Sequence, residues 1–316
     1  MGVYAGRSGC WQRWKSAAEE KRLQFVFTAQ VLSPMIQTSQ TPIGFLLREW
    51  RAMRRMSQMD LALKAGISTR HLSFIETGKA QASRGTVACL ADVLGMPLRE
   101  RNALALAAGF APSYSETPLL EPELGRMRQA IELILKHQEP YPAFVVNRRW
   151  EVVLANDAAI RMNRFLMNGR ALRHSNLLHQ VFDPEDFRPV IVNWPEVAGR
   201  FMSLLHEDIA AAPSDPGPRQ LLGEILAYPD VPAHWRHRDL ESEPTPILNL
   251  VFRSDEGEVR FFETITTFAG AKDITLDELR IECSFPVDER TARLCARLQQ
   301  TEVSDTSFAS NSQAAL

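Results

Sequence analysis

The chain has 316 residues, 45% of them hydrophobic and 23% charged, a balance typical of globular proteins. This length is enough for two domains of about 150 residues each. The sequence lacks a run of about 18 apolar residues, so no membrane-spanning helix is expected. The cysteines form no C-x-x-C pair, which argues against a zinc site or a disulfide framework and favours a reducing, cytoplasmic location. They are Cys10, Cys89, Cys283 and Cys295.

The net charge of −2 conceals a strong asymmetry along the chain. Residues 41–111 contain ten Lys or Arg against five Asp or Glu, and residues 1–40 contain five against two. Residues 112–316 contain 21 basic against 31 acidic residues. A basic N-terminal part joined to an acidic C-terminal part is typical of a DNA-binding module fused to a domain that avoids DNA.

Residues 57–79 predict two short helices joined by a tight turn. Ser57 is a good N-cap for the first helix, and Gly66 ends it, because glycine adopts the left-handed conformation without steric cost. Ser68 caps a second helix, which continues to Glu76. Helix, glycine-containing turn and helix within about 20 residues is the layout of a DNA-binding helix-turn-helix. The alternative is an ordinary helical hairpin.

Three further helices complete a predicted all-α, five-helix domain over residues 41–111. Residues 43–55 carry an apolar stripe on one face and arginines on the rest, which indicates an amphipathic helix. Apolar residues also recur at helical spacing over 84–94 and 98–108, and a glycine follows each of these segments.

Two segments flank this domain. Residues 1–40 contain basic and apolar residues without the order of a signal peptide. They are interpreted either as a disordered basic arm that touches DNA or as an over-extended start, with translation beginning at Met35. Residues 112–121 lie in a proline-containing stretch without hydrophobic periodicity, which predicts a linker. Within it, Leu119 and Leu120 could dock on either domain.

Residues 122–300 predict an α+β domain, an antiparallel sheet with helices packed on one side of it. A helix over 122–137 precedes a hairpin of two strands over 143–155, where β-branched and aromatic residues are frequent. Asn156 caps the next helix, another helical region begins at Asp183-Pro184, and further helices are predicted over 188–211 and 219–228. The remaining strands and the last helix are predicted at 245–253, 258–268, 278–286 and 289–299. The Ser- and Ala-rich tail, 301–316, is expected to be disordered.

Residues 43–111 resemble the Xre/Cro family of helix-turn-helix regulators. The matching residues are Gln58, Leu61-Ala62, Gly66, Ile75-Glu76 and Gly78-Lys79, while Ser83 stands where the family usually has proline. The runs STRHLSFIETGKA and LRERNALALAAGFAP point to the members with a C-terminal MmyB-like ligand-binding domain. The segments that match this PAS-like domain are PYPAFVVNRRWEVVLAN, VIVNWPEVAGR, AYPDV and FFETITTFAGAKDITLDELRIECSFPVDERT. The resemblance implies a transcriptional repressor that responds to a ligand.

In such a helix pair, bases are read in the major groove by side chains near the N-terminus of the second helix. Arg70 can pair with two acceptors of guanine, and Thr69 and Phe74 can contact thymine methyl groups. The side chains in position to reach bases are Ser68, Thr69, Arg70, Ser73 and Phe74.

The resemblance implies further DNA contacts. Gln58 is expected at a phosphate or base edge, and Arg51 is expected to pair with Glu76 and to face a phosphate. Lys79 and Arg84 are expected as phosphate contacts in the loop after the second helix. The alternative for each of them is a solvated surface side chain. Because one such unit covers half a site, a homodimer on an inverted repeat of double-stranded DNA is expected.

The second domain is rich in large apolar residues. The resemblance implies that they line a pocket between sheet and helices for an apolar small-molecule effector, such as a fatty-acid-like ligand. The alternative for each is an ordinary core position. The residues are Phe144, Trp150, Trp194, Phe201, Trp235, Phe252 and Phe262. Three polar residues near them in sequence could hold a polar head group: Asn193, Arg200 and His206.

The sequence gives little support to an enzyme. His206-Glu207 lacks a second histidine four residues after the first, and neither a G-x-S-x-G nor a P-loop sequence occurs. His234 and His237 with Asp239 could ligate a metal, but such pairs in a proline-flanked loop are usually surface residues. We therefore expect neither catalysis nor a cofactor. The alternative function is an antitoxin-like DNA-binding protein whose C-terminal domain binds a protein partner.

Overall fold

The computed structural model describes residues 41–213, 215–238 and 248–311, with side chains described as far as residue 300. The two interpretations of residues 1–40 therefore lie outside the described residues, and so does the position of Asp239.

The first part of the described chain consists of five helices, as predicted. Side chains of Thr41, Ser57, Ser68 and Ser83 each accept a hydrogen bond from a backbone N–H group in the first turn of a helix, which explains where the first four helices begin. Ser83, the departure from the family pattern, is thus the N-cap of the fourth helix. The helices are α1 (Pro42–Met53), α2 (Gln58–Lys64), α3 (Thr69–Glu76), α4 (Arg84–Val93) and α5 (Leu98–Ala107).

These five helices enclose a hydrophobic core of their own. Gly44 lets α1 cross close to the end of α3, because a Cβ atom at this position would collide with the carbonyl group of Glu76. The largest fully buried side chains of this core are Leu47, Trp50, Leu61, Leu72, Ile75, Leu90, Leu94 and Leu104.

Polar contacts hold the segment 112–121 on both sides. Asn102 of α5 accepts hydrogen bonds from two backbone N–H groups of this segment, at 2.9 and 3.1 Å. Asp273 of the second domain accepts a hydroxyl and a backbone N–H group from it, at 2.9 and 3.1 Å. Leu119 packs against the second domain, whereas Leu120 is 69% exposed. The segment connects the two domains through defined contacts.

The second domain contains a five-stranded antiparallel sheet in the order β2-β1-β5-β4-β3. The predicted α+β class is therefore confirmed. The strands are β1 (Ala143–Val146), β2 (Val152–Ala155), β3 (Leu248–Ser254), β4 (Gly257–Thr266) and β5 (Arg280–Pro286). The described helices are α6 (Gly125–His137), α7 (Asp157–Leu166), α8 (Leu177–Phe182), α9 (Trp194–Ala211), α10 (Gly217–Leu226), α11 (Ile274–Asp277) and α12 (Glu289–Asn311).

Helices cover both faces of this sheet, not one face as predicted. Alternate residues of β1 point to opposite sides, so that Val145 packs with Ile131 of α6 while Val146 packs with Phe201 of α9. We call the two clusters the aliphatic core, on the side of α6 and α11, and the aromatic core, on the side of α7 to α10 and α12. Both faces of β1 are apolar, which explains why both are covered.

Three helical segments differ from the prediction. Neither α8 nor the four-residue α11 was predicted, because each is too short to show a helical period in sequence. The last helix, predicted to end at Gln299, continues to Asn311. No glycine or proline occurs between residues 289 and 311, which leaves the helix without a strong stop signal.

Candidate DNA interface and ligand domain

Helix α3 presents its N-terminal residues to solvent. The side chain of Ser68 accepts a hydrogen bond from the backbone N–H of His71 at 3.1 Å and so fixes the start of the helix. Ser68, Thr69 and Arg70 are exposed, and Ser73 and Phe74 are half-buried one turn later. These five residues lie together on one surface, as the helix-turn-helix layout predicts.

Arg70 also contacts Phe74 within this surface. Its guanidinium carbon lies 5.3 Å from the centre of the Phe74 ring, at the distance of a cation–π contact. The two residues are four positions apart, which places them on the same side of a helix. The ring therefore restricts the arginine before any DNA is bound.

The buried carboxylate of Glu76 orients two of the residues that are predicted to contact DNA. Its side chain is 2% exposed. It accepts hydrogen bonds from Arg51 Nε and Nη2, at 3.1 and 3.3 Å, and from Gln58 Nε2 at 3.0 Å. The predicted pair of Arg51 and Glu76 is thus present, whereas the bond from Gln58 was missed. The backbone carbonyl of Glu76 in turn accepts a hydrogen bond from Arg48 Nη1 at 2.9 Å.

Lys79 and Arg84 differ in their surroundings. Lys79 follows α3 and is exposed. Arg84 is the first residue of α4 and not a loop residue. Its Nη2 donates to the carbonyl of Ala111 at 3.0 Å, and its guanidinium lies 5.7 Å from the ring of Phe110. A phosphate contact by Arg84 would have to compete with these bonds, which makes Lys79 the better placed of the two.

Six of the seven predicted ligand residues lie in the aromatic core. Trp194 packs against the buried part of this core, and the centre of its ring lies 5.7 Å from that of Phe182 and 5.9 Å from that of Trp235. Its Nε1 donates to the carbonyl of Val181 at 2.9 Å. The remaining members pack around this group: Phe144, Trp150, Phe201 and Phe252.

Phe262 is the exception. It lies on the opposite face of β4 and stacks on Phe285, with ring centres 5.1 Å apart and planes 15° apart. Phe261, its neighbour in sequence, points into the aromatic core and is 2% exposed. Because side chains alternate along a strand, only one of two adjacent phenylalanines can face the core. The assignment of Phe262 to the same pocket as Trp194 is wrong.

Two of the polar residues near this core form hydrogen bonds that connect different secondary-structure elements. Asn193 Nδ2 donates to the carbonyl of Asn249 at 2.9 Å, and its Oδ1 accepts from the backbone N–H of Val251 at 3.1 Å. His206 Nε2 lies 2.9 Å from the carbonyl of Trp235. Arg200 is half-buried on α9. These bonds fix α9 against β3 and the segment around residue 235.

His234 and His237 are both exposed. Among the described residues, no group of three His, Cys, Asp or Glu side chains is arranged to hold a metal ion.

Two buried carboxyl groups lie on the sheet face that carries the aromatic core. Glu263 of β4 is 8% exposed and Glu282 of β5 is 1% exposed. Burial raises the pKa of Glu263 to about 7. Burial and the negative charge of Glu263 raise the pKa of Glu282 to about 8. Sequence analysis did not single out either residue, because a glutamate in an alternating strand usually faces solvent.

An ion-pair group connects the two domains. Arg99 of α5 donates to Glu278, which precedes β5, through Nε at 2.7 Å and Nη2 at 2.9 Å. Its Nη1 donates to Glu116 of the connecting segment at 2.8 Å. Hydrogen bonding to Arg99 lowers the pKa of Glu116. Sequence analysis missed this group, since its members are far apart in the chain.

Comparison with known families identifies both domains. The family model for the MmyB-like transcription regulator ligand binding domain matches residues 127–298. The chain belongs to this family. A helix-turn-helix domain model matches residues 42–104. The MmyB-like domain thus contains the aromatic core and the buried carboxyl pair, and the helix-turn-helix domain contains α3 with its exposed residues. Together they make the chain a DNA-binding transcription regulator with a ligand-binding domain.

Other comparisons add little to this assignment. No curated protein sequence matches the chain. A solved structure titled "Structure of an RNA-binding Light-Oxygen-Voltage Receptor" aligns with 95% of this chain and 68% of its own, at 15% identity and a TM-score of 0.21. This score is too low to relate the two folds. In the described part of this MmyB-like regulator, no helix is both long enough and apolar enough to span a membrane.

Proposed function

We propose that this MmyB-like regulator is a repressor that binds an inverted repeat as a homodimer, under the control of an apolar small molecule in its C-terminal domain. The observation that carries the DNA-binding part is the exposed surface of α3. Arg70 is restrained by Phe74 there, and Glu76 fixes the guanidinium of Arg51 on the adjoining helix. Such pre-oriented groups suit base edges and phosphates.

The homodimer follows from the size of this surface. One helix placed in the major groove reads only a few base pairs, and helix-turn-helix proteins commonly pair two such helices across about one turn of DNA. A two-fold dimer requires the two half-sites to be inverted relative to one another. The proposed operator is therefore a palindrome with half-site centres about 34 Å apart.

The proposed effector site is the aromatic core. Trp194, Trp235 and Phe252 are only half-buried, although each packs against this core. Aromatic side chains that remain partly accessible beside a buried core offer contact area to an apolar ligand. A ligand acts on DNA binding only if it binds the DNA-competent and incompetent states with different affinity.

Selection of bound sequences from random DNA tests the first part of this proposal. The full chain should enrich one sequence with two inverted half-sites, and sedimentation should give two chains per DNA duplex. Native mass spectrometry of the chain purified from its own host tests the second part, since a retained apolar molecule would identify the class of effector. Absence of any enriched sequence would contradict the regulator proposal.

A further inference from the structure

The buried carboxyl pair lies at the edge of the proposed effector site. In the register of the sheet, Glu282 is directly opposite Phe144 of β1, and Glu263 is directly opposite Ser284 of β5. All four side chains point to the face that carries the aromatic core, because Val146, two positions from Phe144 on β1, and Phe261, two positions from Glu263 on β4, belong to that core. An acidic pair at this place would meet the polar end of any molecule that enters the core.

The hydrogen bonds of the pair are incomplete. Glu263 accepts a hydrogen bond from Ser284 Oγ at 3.0 Å. For Glu282, by contrast, Oε1 is buried and has no hydrogen-bond partner. Buried polar atoms are nearly always paired, and each exception indicates a strained position or a missing partner. The described part of the chain therefore contains no hydrogen-bond partner for Oε1 of Glu282.

The nearest cation does not supply this partner. Arg280, two residues before Glu282 on the same face, forms an ion pair with Asp208 of α9. Its guanidinium also lies 4.7 Å from the ring of Trp150, whose Nε1 donates to the other oxygen of Asp208 at 3.0 Å. The positive charge of Arg280 is thus balanced by Asp208. No described cation forms an ion pair with either glutamate, and the charge of Arg280 only partly offsets the burial that raises the pKa of Glu282.

We propose that Glu263 and Glu282 bind the cationic amine head group of the effector while its apolar chain lies in the aromatic core. This inference rests on the proposed function, in which this domain takes an apolar effector. An ammonium group carries three N–H donors and can satisfy Oε1 of Glu282 together with a Glu263 oxygen. Its positive charge stabilises the ionised form of both glutamates, which their burial disfavours, whereas a carboxylate head group would add a further negative charge.

A metal ion fits this site less well than an amine does. Divalent cations in proteins are usually bound by more carboxylate and carbonyl ligands than one pair provides. No third acidic, histidine or cysteine side chain completes such a set among the described residues. Nη1 of Arg280 is also buried without an acceptor, so a hydroxyl beside the amine would gain a second partner.

Three small molecules with alkyl chains of the same carbon number and different head groups test the inference: n-octylamine, n-octanol and octanoate. Their binding to the full chain can be followed by tryptophan fluorescence, because Trp150, Trp194 and Trp235 lie in the core. Octylamine should bind at least about tenfold more tightly than octanol, and octanoate should bind most weakly. In Glu282→Gln and in Glu263→Gln the affinity for octylamine should fall to that for octanol, with the affinity for octanol unchanged.

Glu258→Gln is the matched control, since Glu258 is also on β4 but forms an ion pair with Arg260 near the turn. This variant should keep the preference for the amine. Octanoate binding as tightly as octylamine, an unchanged preference in Glu282→Gln, or no binding of any probe would each overturn the inference. Octanol that binds and alters DNA affinity without a preference for the amine would leave the regulator proposal intact. A clear preference for the amine without any effect on DNA binding would contradict that proposal alone.

Discussion

Arg99 of α5 and Glu278 of the ligand domain form a two-pronged ion pair, with Nε–Oε1 at 2.7 Å and Nη2–Oε2 at 2.9 Å. Bidentate pairs of this kind fix orientation as well as distance. Glu278 lies two residues before the start of β5, the strand that carries Arg280 and Glu282. A shift of β5 caused by an effector would therefore be transmitted through this ion pair to α5, the last helix of the DNA-binding domain.

Arg99→Gln should uncouple the two domains. The variant should keep its affinity for operator DNA within about threefold, since Arg99 lies on α5 and is paired with Glu116 and Glu278, but should lose most of the change in affinity that an effector causes. Coupling between sites is typically worth about 1–3 kcal/mol, which bounds the loss. Anisotropy titrations of labelled operator, with and without effector, measure both quantities.

Arg101→Gln is the control for this experiment. Arg101 lies on the same helix but pairs with Asp92 inside the DNA-binding domain. This variant should respond to effector as the parent chain does. If Arg99→Gln also keeps the full response, the ion pair does not carry the signal.

Arg70→Ala and Lys79→Ala should weaken DNA binding in different ways. Loss of a bidentate contact to a base costs about 1–3 kcal/mol on the correct sequence and little on others, so Arg70→Ala should lose sequence preference. Lys79→Ala should weaken binding evenly and lower the salt dependence by about one unit of slope. Titrations on the selected operator and on a scrambled duplex at several salt concentrations separate the two. Equal loss on both duplexes for Arg70→Ala would rule out base reading by this residue.

Glu76→Gln should weaken DNA binding although Glu76 itself is buried. The amide keeps the shape of the side chain but removes the charge that orients Arg51, and hydrogen bonds to charged groups contribute about 1.5–3 kcal/mol. Both the affinity for operator and the free energy of unfolding should fall. Glu49→Gln, at an exposed position of α1, is the control and should change neither. A Glu76→Gln variant with unchanged DNA affinity would show that Arg51 needs no such support.

The stability of the ligand domain should fall as the pH rises from about 5 to 8. Glu263 and Glu282 have pKa values raised from 4.5 to about 7 and about 8, so in this range the folded chain binds more protons than the unfolded chain. The free energy of unfolding then falls with rising pH until the pH passes the folded pKa values of the pair.

Glu282→Gln should remove part of this dependence. Its melting temperature should exceed that of the parent chain by more at pH 8 than at pH 5, as measured by circular dichroism in matched buffers. Glu258→Gln should follow the parent chain at both values. A parallel pH profile for Glu282→Gln and the parent chain would mean that Glu282 is ionised in the folded state.

Local signals were sufficient to predict the helix-turn-helix domain. Capping residues such as Ser57 and Ser68 and the turn at Gly66, with φ of 66°, specify helix ends within a few residues of sequence. The contact of Arg51 with Glu76 was available only through resemblance to a family. The bond from Gln58 to the same carboxylate depends on how α2 crosses α3, which no local pattern records.

The site in the ligand domain was harder to predict from the sequence, because it depends on strand register. Alternation cannot decide which of Phe261 and Phe262 faces the aromatic core until the neighbouring strands are placed. The same holds for Glu263 and Glu282, which become a pair only when β4 and β5 align. Arg99 and Glu278 meet across 179 positions of sequence, a separation that a single sequence does not resolve.

The affinity of the full chain for its selected operator, measured with and without a bound octyl probe, is the most direct test of ligand-controlled DNA binding. Tryptophan fluorescence shows that the probe is bound, and anisotropy of the labelled operator gives the dissociation constant under the same conditions. We expect a change of at least about fivefold, the lower end of typical coupling between sites. An unchanged dissociation constant with the probe demonstrably bound would contradict control of DNA binding by the ligand domain.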